Sequence, residues 1–168
     1  MTVLRVDSSN NVLHAFGDSI ACSIGKTGVI AAADKREGDG KSPLGCWPVR
    51  AALLRPGRVT LPGMMMLPWR WIRPQDGWSD DPADPAYNRP VAHPHGFSAE
   101  KLWRDDGLYD VIIVLGHNDA PPVAGLGSAV FLHCRREERP TLGCIAIDRD
   151  RLINLLPRLT PADVVEIG

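Results

Sequence analysis

A chain of 168 residues fits one domain, spanning residues 1–168, and at this length buries roughly 70% of the surface its unfolded form exposes, so no disulfide or metal scaffold is required. Nineteen Lys plus Arg against 20 Asp plus Glu leave almost no net field, which removes the electrostatic case for nucleic acid or a polybasic membrane anchor. No apolar run approaches the ~20 residues of a membrane helix, and Met1 to Asp7 shows no cationic segment leading into an apolar one, so neither a transmembrane segment nor a signal peptide is visible.

The first third alternates as half-buried strands do: Val3–Val6, Val12–Phe16 and Ser19–Ile24, separated by Asp-Ser-Ser-Asn-Asn and Gly-Asp turn chemistry. An antiparallel meander is predicted. The polar turn Lys35–Lys41 and Ser42-Pro-Leu-Gly45 lead into a strand from Cys46 to Leu54. Pro56 to Pro94 is rich in Pro, Gly, Asp and Trp, has no sustained period, and reads as a long ordered loop. Ser98 is positioned to cap a short helix through Trp103.

Tyr109–Leu115 and Ser128–His133 are apolar and β-branched, the pattern of central strands buried on both faces. Asp148 stands at an N-cap position before Leu152, Leu155, Leu156 and Leu159 at helical spacing, with Pro157 ending the helix early. Val164–Ile167 closes the chain as a strand. The fold class is therefore mainly β, with one or two short helices.

Two stretches, Gly25-Lys-Thr27 and Gly40-Lys-Ser42, end like a phosphate loop, but the glycine required five positions before each Gly-Lys pair is replaced by Ile20 and Lys35. Gly125-Leu-Gly127 precedes a strand instead of opening a helix, so a dinucleotide fingerprint fails too. His93 and His95 lack the tightly paired ligands of a zinc site. No metal and no cofactor are assigned. Cys22, Cys46, Cys134 and Cys144 form no CxxC pair; whether Cys22 and Cys46 are thiols or a disulfide stays open.

The chemistry-bearing stretch runs from Gly127 to Ile147. It places His133 at the end of an apolar strand and Cys144 directly after Gly143, with a polar loop between. A free thiol is mostly protonated at neutral pH, and a nearby imidazole converts it into a nucleophile. His133 and Cys144 are expected to meet across neighbouring strands. Gly143 leaves room for substrate, and its amide with that of Cys144 can face an oxyanion. Thr141 offers a hydroxyl or carbonyl to orient the imidazole, and a backbone carbonyl is the other candidate for that third role. The competing reading is that an isolated cysteine after an apolar run belongs to the core.

These residues resemble the L,D-transpeptidase family with the YkuD-type catalytic domain, whose signature is a His-Gly pair followed by Ser/Thr-x-Gly-Cys-Ile/Val-Arg. Thr141-Leu-Gly-Cys-Ile145 is similar to the second half and His133 to the first. Lys35-Arg-Glu-Gly-Asp-Gly-Lys-Ser-Pro-Leu-Gly45 resembles the family's Thr/Ser-Pro-x-Gly segment, and Tyr87-Asn-Arg89 with Gly127–His133 matches a compact bacterial branch. Two positions depart from the pattern: Cys134 stands where glycine is usual and Ala146 where arginine is usual.

The resemblance implies a β-sandwich-like catalytic domain in the periplasm or cell envelope. It implies that Cys144 and His133 carry acyl transfer between peptidoglycan stem peptides, donor and acceptor, through a thioester. Water as acceptor would make the protein an L,D-carboxypeptidase or peptidase; an envelope-binding relative without activity is the third reading. Arg89 is the candidate to replace the missing cation, by loop position and charge type. Tyr87, Asn88, His117 and Asn118 are assigned with it to the substrate-binding set.

Overall fold

The structure is a computed structural model that describes residues 1–168. The expected meander forms: β1 (Val3–Asp7), β2 (Val12–Ala15) and β3 (Asp18–Ser23) pair antiparallel. Phe16 and Gly17, with φ of 53° and 91°, make the two-residue turn between β2 and β3, a geometry whose twist suits a hairpin. After β4 (Val29–Ala31) comes the 13-residue β5 (Ser42–Leu54).

The Pro56–Pro94 stretch is more ordered than its composition suggests. It holds β6 (Trp69–Trp71), β7 (Asp76–Ser79) and β8 (Pro90–Ala92), each too short to give a period in sequence. The helix expected from Ser98 to Trp103 is absent. Ala99–Lys101 is instead β9, paired antiparallel with Gly77–Ser79, so the open edge of β7 overrides a local capping signal.

Next are β10 (Val111–Leu115), β11 (Phe131–Cys134), β12 (Ile145–Ile147), α1 (Arg149–Leu155) and β13 (Val164–Ile167). β11 starts later than predicted because Ala129 has φ 50°, which breaks the extended run from Ser128. Asp148 sits at the N-cap of α1 but makes no side-chain cap bond; its carboxylate pairs with Arg135 at 2.8 Å. Pro157 lies in the 3-10 turn that ends the helix, as expected.

The main sheet runs β10-β11-β12-β3-β2-β1-β13-β5, and β5 pairs with β10, so this path closes on itself into a barrel-like core. β5 serves both sides: Gly45–Pro48 pair with β13 and Val49–Leu54 with β10. Alternate residues point inward, with Leu132 and Cys134 of β11, Ile145 and Ile147 of β12, and Ile113 and Leu115 of β10 all in the principal core beside Leu152 and Leu155 of α1. No helix is long and apolar enough to cross a membrane.

The other face of β5, β10 and β11 is apolar as well. Leu53, Ile112, Val114 and Phe131 form a second core beneath the small sheet β8-β7-β9, with Trp78 edge-on to Phe131 at 5.2 Å. This second layer explains why β10 and β11 are buried on both faces, as their composition predicts. Phe131 is fully buried, so truncating it to alanine would cost about 3–5 kcal/mol.

Candidate active site

His133 and Cys144 come from adjacent strands. β11 and β12 pair in parallel with Leu132 opposite Ile145 and His133 opposite Ala146, which sets Cys144 beside Phe131 one step earlier. Because Leu132, Cys134, Ile145 and Ile147 face the main core, the pleat turns Phe131, His133, Cys144 and Ala146 to the outer face, beneath the small sheet. His133 and Cys144 share this face without a direct hydrogen bond between them.

The thiol is held by backbone. Cys144 Sγ donates to Ala129 O at 3.1 Å and accepts from Phe131 N–H at 3.4 Å. Burial pushes the thiol up to about 12, the Glu100 carboxylate adds to the rise, and the Phe131 N–H and Lys35 oppose it. His133 is buried, with Nδ1 2.8 Å from Cys134 O and the Tyr109 ring edge-on at 5.2 Å. Burial brings its imidazole down to about 4, against the pull of the Cys134 and Leu108 carbonyls. The resting pair is thus a thiol and a neutral imidazole.

The turn before Cys144 is fastened to the body of the protein. Thr141 Oγ1 donates to Cys144 O at 2.6 Å and accepts the Gly143 N–H at 3.0 Å, and Ser42 Oγ donates to the same Cys144 carbonyl at 3.3 Å. Of the two expected partners for the imidazole, the contact comes from a backbone carbonyl, that of Cys134, while Thr141 braces the turn before Cys144. Gly143 donates within that turn and does not face the cleft as an oxyanion donor. The Cys144 N–H has no acceptor within the chain. Gly143 has φ 141°, and a Cβ there would lie 2.9 Å from Lys41 O, so only glycine fits.

A buried cation stands beside this turn. Lys35, 4% exposed, threads between Gly127 and Gly143: Cβ atoms built on these two would lie 3.0 Å from its Cγ and 3.8 Å from its Nζ. Nζ donates to Asp39 at 2.5 Å and to Arg36 O at 2.9 Å, leaving one of three ammonium hydrogens unassigned. Tyr109 donates its hydroxyl to Glu100, whose carboxyl is raised by burial and whose charge acts on Cys144.

A family model for the L,D-transpeptidase catalytic domain, YkuD, matches residues 2–167. The chain belongs to this family. No curated protein and no solved structure matches it. The L,D-transpeptidase family consists of enzymes acting on peptidoglycan, and its catalytic domain accounts for nearly the whole chain.

Within this L,D-transpeptidase domain, the residues assigned from sequence to substrate binding divide sharply. Asn88 is buried, and its carboxamide is saturated: Oδ1 accepts from Trp78 Nε1 at 2.9 Å and Ala129 N at 3.1 Å, while Nδ2 donates to His117 O and Asn118 O. It fixes Ala129, whose carbonyl receives the thiol, and has nothing left for substrate. Tyr87 is buried with its hydroxyl on Glu37, which also accepts from Ser128 at 2.7 Å. Asn118 staples its own loop through Val123 and Gly127.

His117 lies two residues past the end of β10, whereas His133 pairs with Ile112 near its start. It packs edge-on against Trp47 at 4.6 Å with Nε2 on Leu126 O. Arg89 remains exposed and lines a pocket on the same outer face, but does not approach Cys144 as the missing cation would. Lys35, Glu37, Tyr109 and Glu100 were not singled out from sequence. Lys35 and Glu37 lie in the motif-bearing segment Lys35–Gly45, yet charge in a polar turn reads as solvated until the fold buries it.

Proposed function

We propose that Cys144 is the nucleophile and His133 the general base of an L,D-transpeptidase that cross-links peptidoglycan stems in the cell envelope. The observation that carries this reading is the shared outer face of β11 and β12. It puts both side chains on one side of the sheet, and the N–H of Cys144 itself is unengaged.

The resting thiol donates to Ala129 O and burial keeps the imidazole neutral, so the proton passes to His133 as the sulfur attacks. Sulfur attacks the carbonyl on the L side of an L,D peptide bond as His133 takes the thiol proton. The Cys134 carbonyl steadies the resulting imidazolium through Nδ1–H. Negative charge develops on the carbonyl oxygen, where the Cys144 N–H and the free hydrogen of Lys35 can receive it.

Collapse of the tetrahedral intermediate breaks the C–N bond, His133 returns the proton to the departing D-amino acid, and a thioester remains on Cys144. The amine of a second stem then attacks, losing a proton to His133 and releasing the thiol. Lys35 takes the part of the arginine missing at Ala146, and Arg89 does not. Intact-protein mass spectrometry after incubation with purified muropeptides or a carbapenem tests the scheme: wild type gains one acyl adduct and Cys144→Ala gains none. An adduct that persists in Cys144→Ala removes Cys144 from the reaction. Product analysis separates amine from water as acceptor.

A further inference from the structure

The small sheet turns a carboxylate towards the outer face of β11 and β12. Trp78 stands directly opposite Glu100 in the β7–β9 pairing, so the two side chains share a face. Trp78 meets Phe131 edge-on at 5.2 Å, which fixes that face as the one turned towards Phe131, His133 and Cys144. Tyr109 spans the same layer: its ring lies edge-on to Phe131 at 6.1 Å and to His133 at 5.2 Å, and its hydroxyl donates to Glu100. Cys144 and Glu100 are both partly exposed, over buried Tyr109, His133 and Phe131.

Glu100 is not consumed by the Tyr109 contact. Oε1 takes the hydroxyl, whereas Oε2 has no partner and is not sealed from solvent. The nearby Arg104 is paired with Asp106 instead. Burial raises the Glu100 carboxyl and the charges of Asp80 and Glu37 add to the rise, against the Tyr109 hydroxyl and Arg104. Glu100 is also the strongest charge acting on the Cys144 thiol, which it raises together with Glu37 and against Lys35. At rest this works against ionisation of the sulfur. Such a carboxylate calls for a cation to balance it, and Lys35 is already paired with Asp39.

The proposed reaction brings a cation. Peptide amines are protonated at neutral pH, with values of about 8 for an α-amine and about 10 for a lysine-type side chain. An ammonium must lose a proton before its nitrogen can attack a thioester. His133, held at about 4, is a weak acceptor for that proton. A carboxylate raised by burial is a better one, and its charge first draws the ammonium in.

We propose that Glu100, oriented by Tyr109, binds the ammonium of the acyl acceptor and takes its first proton, and so favours amine over water as the group that receives the acyl chain from Cys144. The inference rests on the acyl-transfer reading. The ammonium gives one proton to Glu100 Oε2, and the freed lone pair forms the C–N bond to the thioester carbon as the carbonyl π pair moves to oxygen. A second proton passes from nitrogen to His133. The carbonyl then re-forms, the C–S bond breaks, and the sulfur recovers its proton from His133 while Glu100 releases its own to solvent. Water brings no positive charge and gains nothing from binding there.

The test uses the full chain, wild type and Glu100→Gln, acylated on Cys144 by a purified tetrapeptide muropeptide. The adduct is then offered a muropeptide amine, which is protonated at pH 7, hydroxylamine, which is uncharged, or water alone. Loss of the adduct is followed by intact-protein mass and the products by chromatography. The slowing caused by Glu100→Gln is expected to be about 10²-fold greater for the muropeptide amine than for hydroxylamine or water. Glu100→Asp restores part of the transfer, and in wild type added salt slows transfer to the muropeptide amine more than to hydroxylamine. Equal slowing with all three acceptors marks a structural role and overturns the inference, as does an amine-to-water ratio that neither Glu100→Gln nor salt changes. An adduct absent from wild type defeats the acyl-transfer reading and the inference with it, whereas a normal adduct with unchanged partitioning defeats the inference alone.

Discussion

Lys35→Met removes the ammonium from between Gly127 and Gly143 while keeping most of the volume of the stem. The side chains of Lys35 and Asp39 are 5% and 16% exposed and meet at 2.5 Å, and losing one partner of a buried pair costs about 3–5 kcal/mol. Asp39 keeps N–H bonds from Arg36 and Lys41, both 2.9 Å, so the low end, about 3 kcal/mol, is expected. If the free ammonium hydrogen meets the oxyanion, its loss also slows acylation by about 10²-fold or more. Urea denaturation at pH 7 reads the first effect and the rate of adduct formation on Cys144 reads the second.

The double variant Lys35→Met/Asp39→Asn separates them. With both charges gone, stability recovers in large part, while acylation stays slow. Burial raises the Asp39 carboxyl, but its bonds from Lys35, Arg36 and Lys41 outweigh this and hold it below the ordinary carboxylate range. Its stabilising share is thus present at neutral pH and lost as pH falls through the folded value. Wild-type acylation rates in the stable double variant would refute the assignment of Lys35 to the reacting centre.

Further outcomes follow from the same geometry. Alkylation of Cys144 by iodoacetamide should rise with pH and show no plateau below about pH 9, since the thiol is raised to about 12; a plateau near pH 6 would mean a preformed thiolate–imidazolium pair. His133, held neutral with its value near 4 instead of 6.5, binds fewer protons folded than unfolded across that window. Stability therefore falls as pH drops from 6.5 to 4, and His133→Gln should reduce that fall by up to about 3 kcal/mol in denaturation curves, with an unchanged slope counting against the burial argument. Gly143→Ala must displace the Lys41 carbonyl and strain the φ of 141°, so a loss of about 1–3 kcal/mol with abolished acylation is expected; full activity would show the turn to be pliable. Asn88→Ala strips partners from Trp78 Nε1, Ala129 N and two carbonyls, and should cost at least about 2 kcal/mol by thermal melting.

The barrel strands and the helix were readable because their periods run long enough to register. Val3–Asp7 and Val12–Ala15 declare themselves by alternation, Val111–Leu115 by an unbroken β-branched apolar run, and the leucines of α1 by helical spacing. The small sheet was not readable: β7, β8 and β9 have three or four residues each, and their pairing depends on partners ten or more positions away.

The site divides along similar lines. Cys144, Gly143 and His133 stand out through local order along the chain. The polar residues around them do not, because their roles depend on burial. Asn88 looks like a loop residue open to substrate, yet the small sheet buries it and four backbone or indole partners consume it. Lys35 looks solvated in a Lys-Arg-Glu-Gly-Asp-Gly-Lys turn, yet Gly127 and Gly143 admit it to the interior. Glu100 sits where sequence indicates a helix surface, and strand pairing turns it towards Tyr109.

The parallel pairing of β1 with β13, Val3 opposite Val164 through Val6 opposite Ile167, bears on how the molecule assembles. β13 is the strand wedged between β1 and β5, so the ring has a gap until Val164–Ile167 are in place. Before β13 docks, the β1–β3 meander can form, but Val6 and Trp47 are left on open strand edges. Contacts between segments so far apart in sequence make for slow folding, on the order of milliseconds to seconds, and concentrate the cooperative step at the docking of β13. Removing Val164–Ile167 would therefore leave the barrel unable to close, with its β1 and β5 edges prone to pairing with those of other chains.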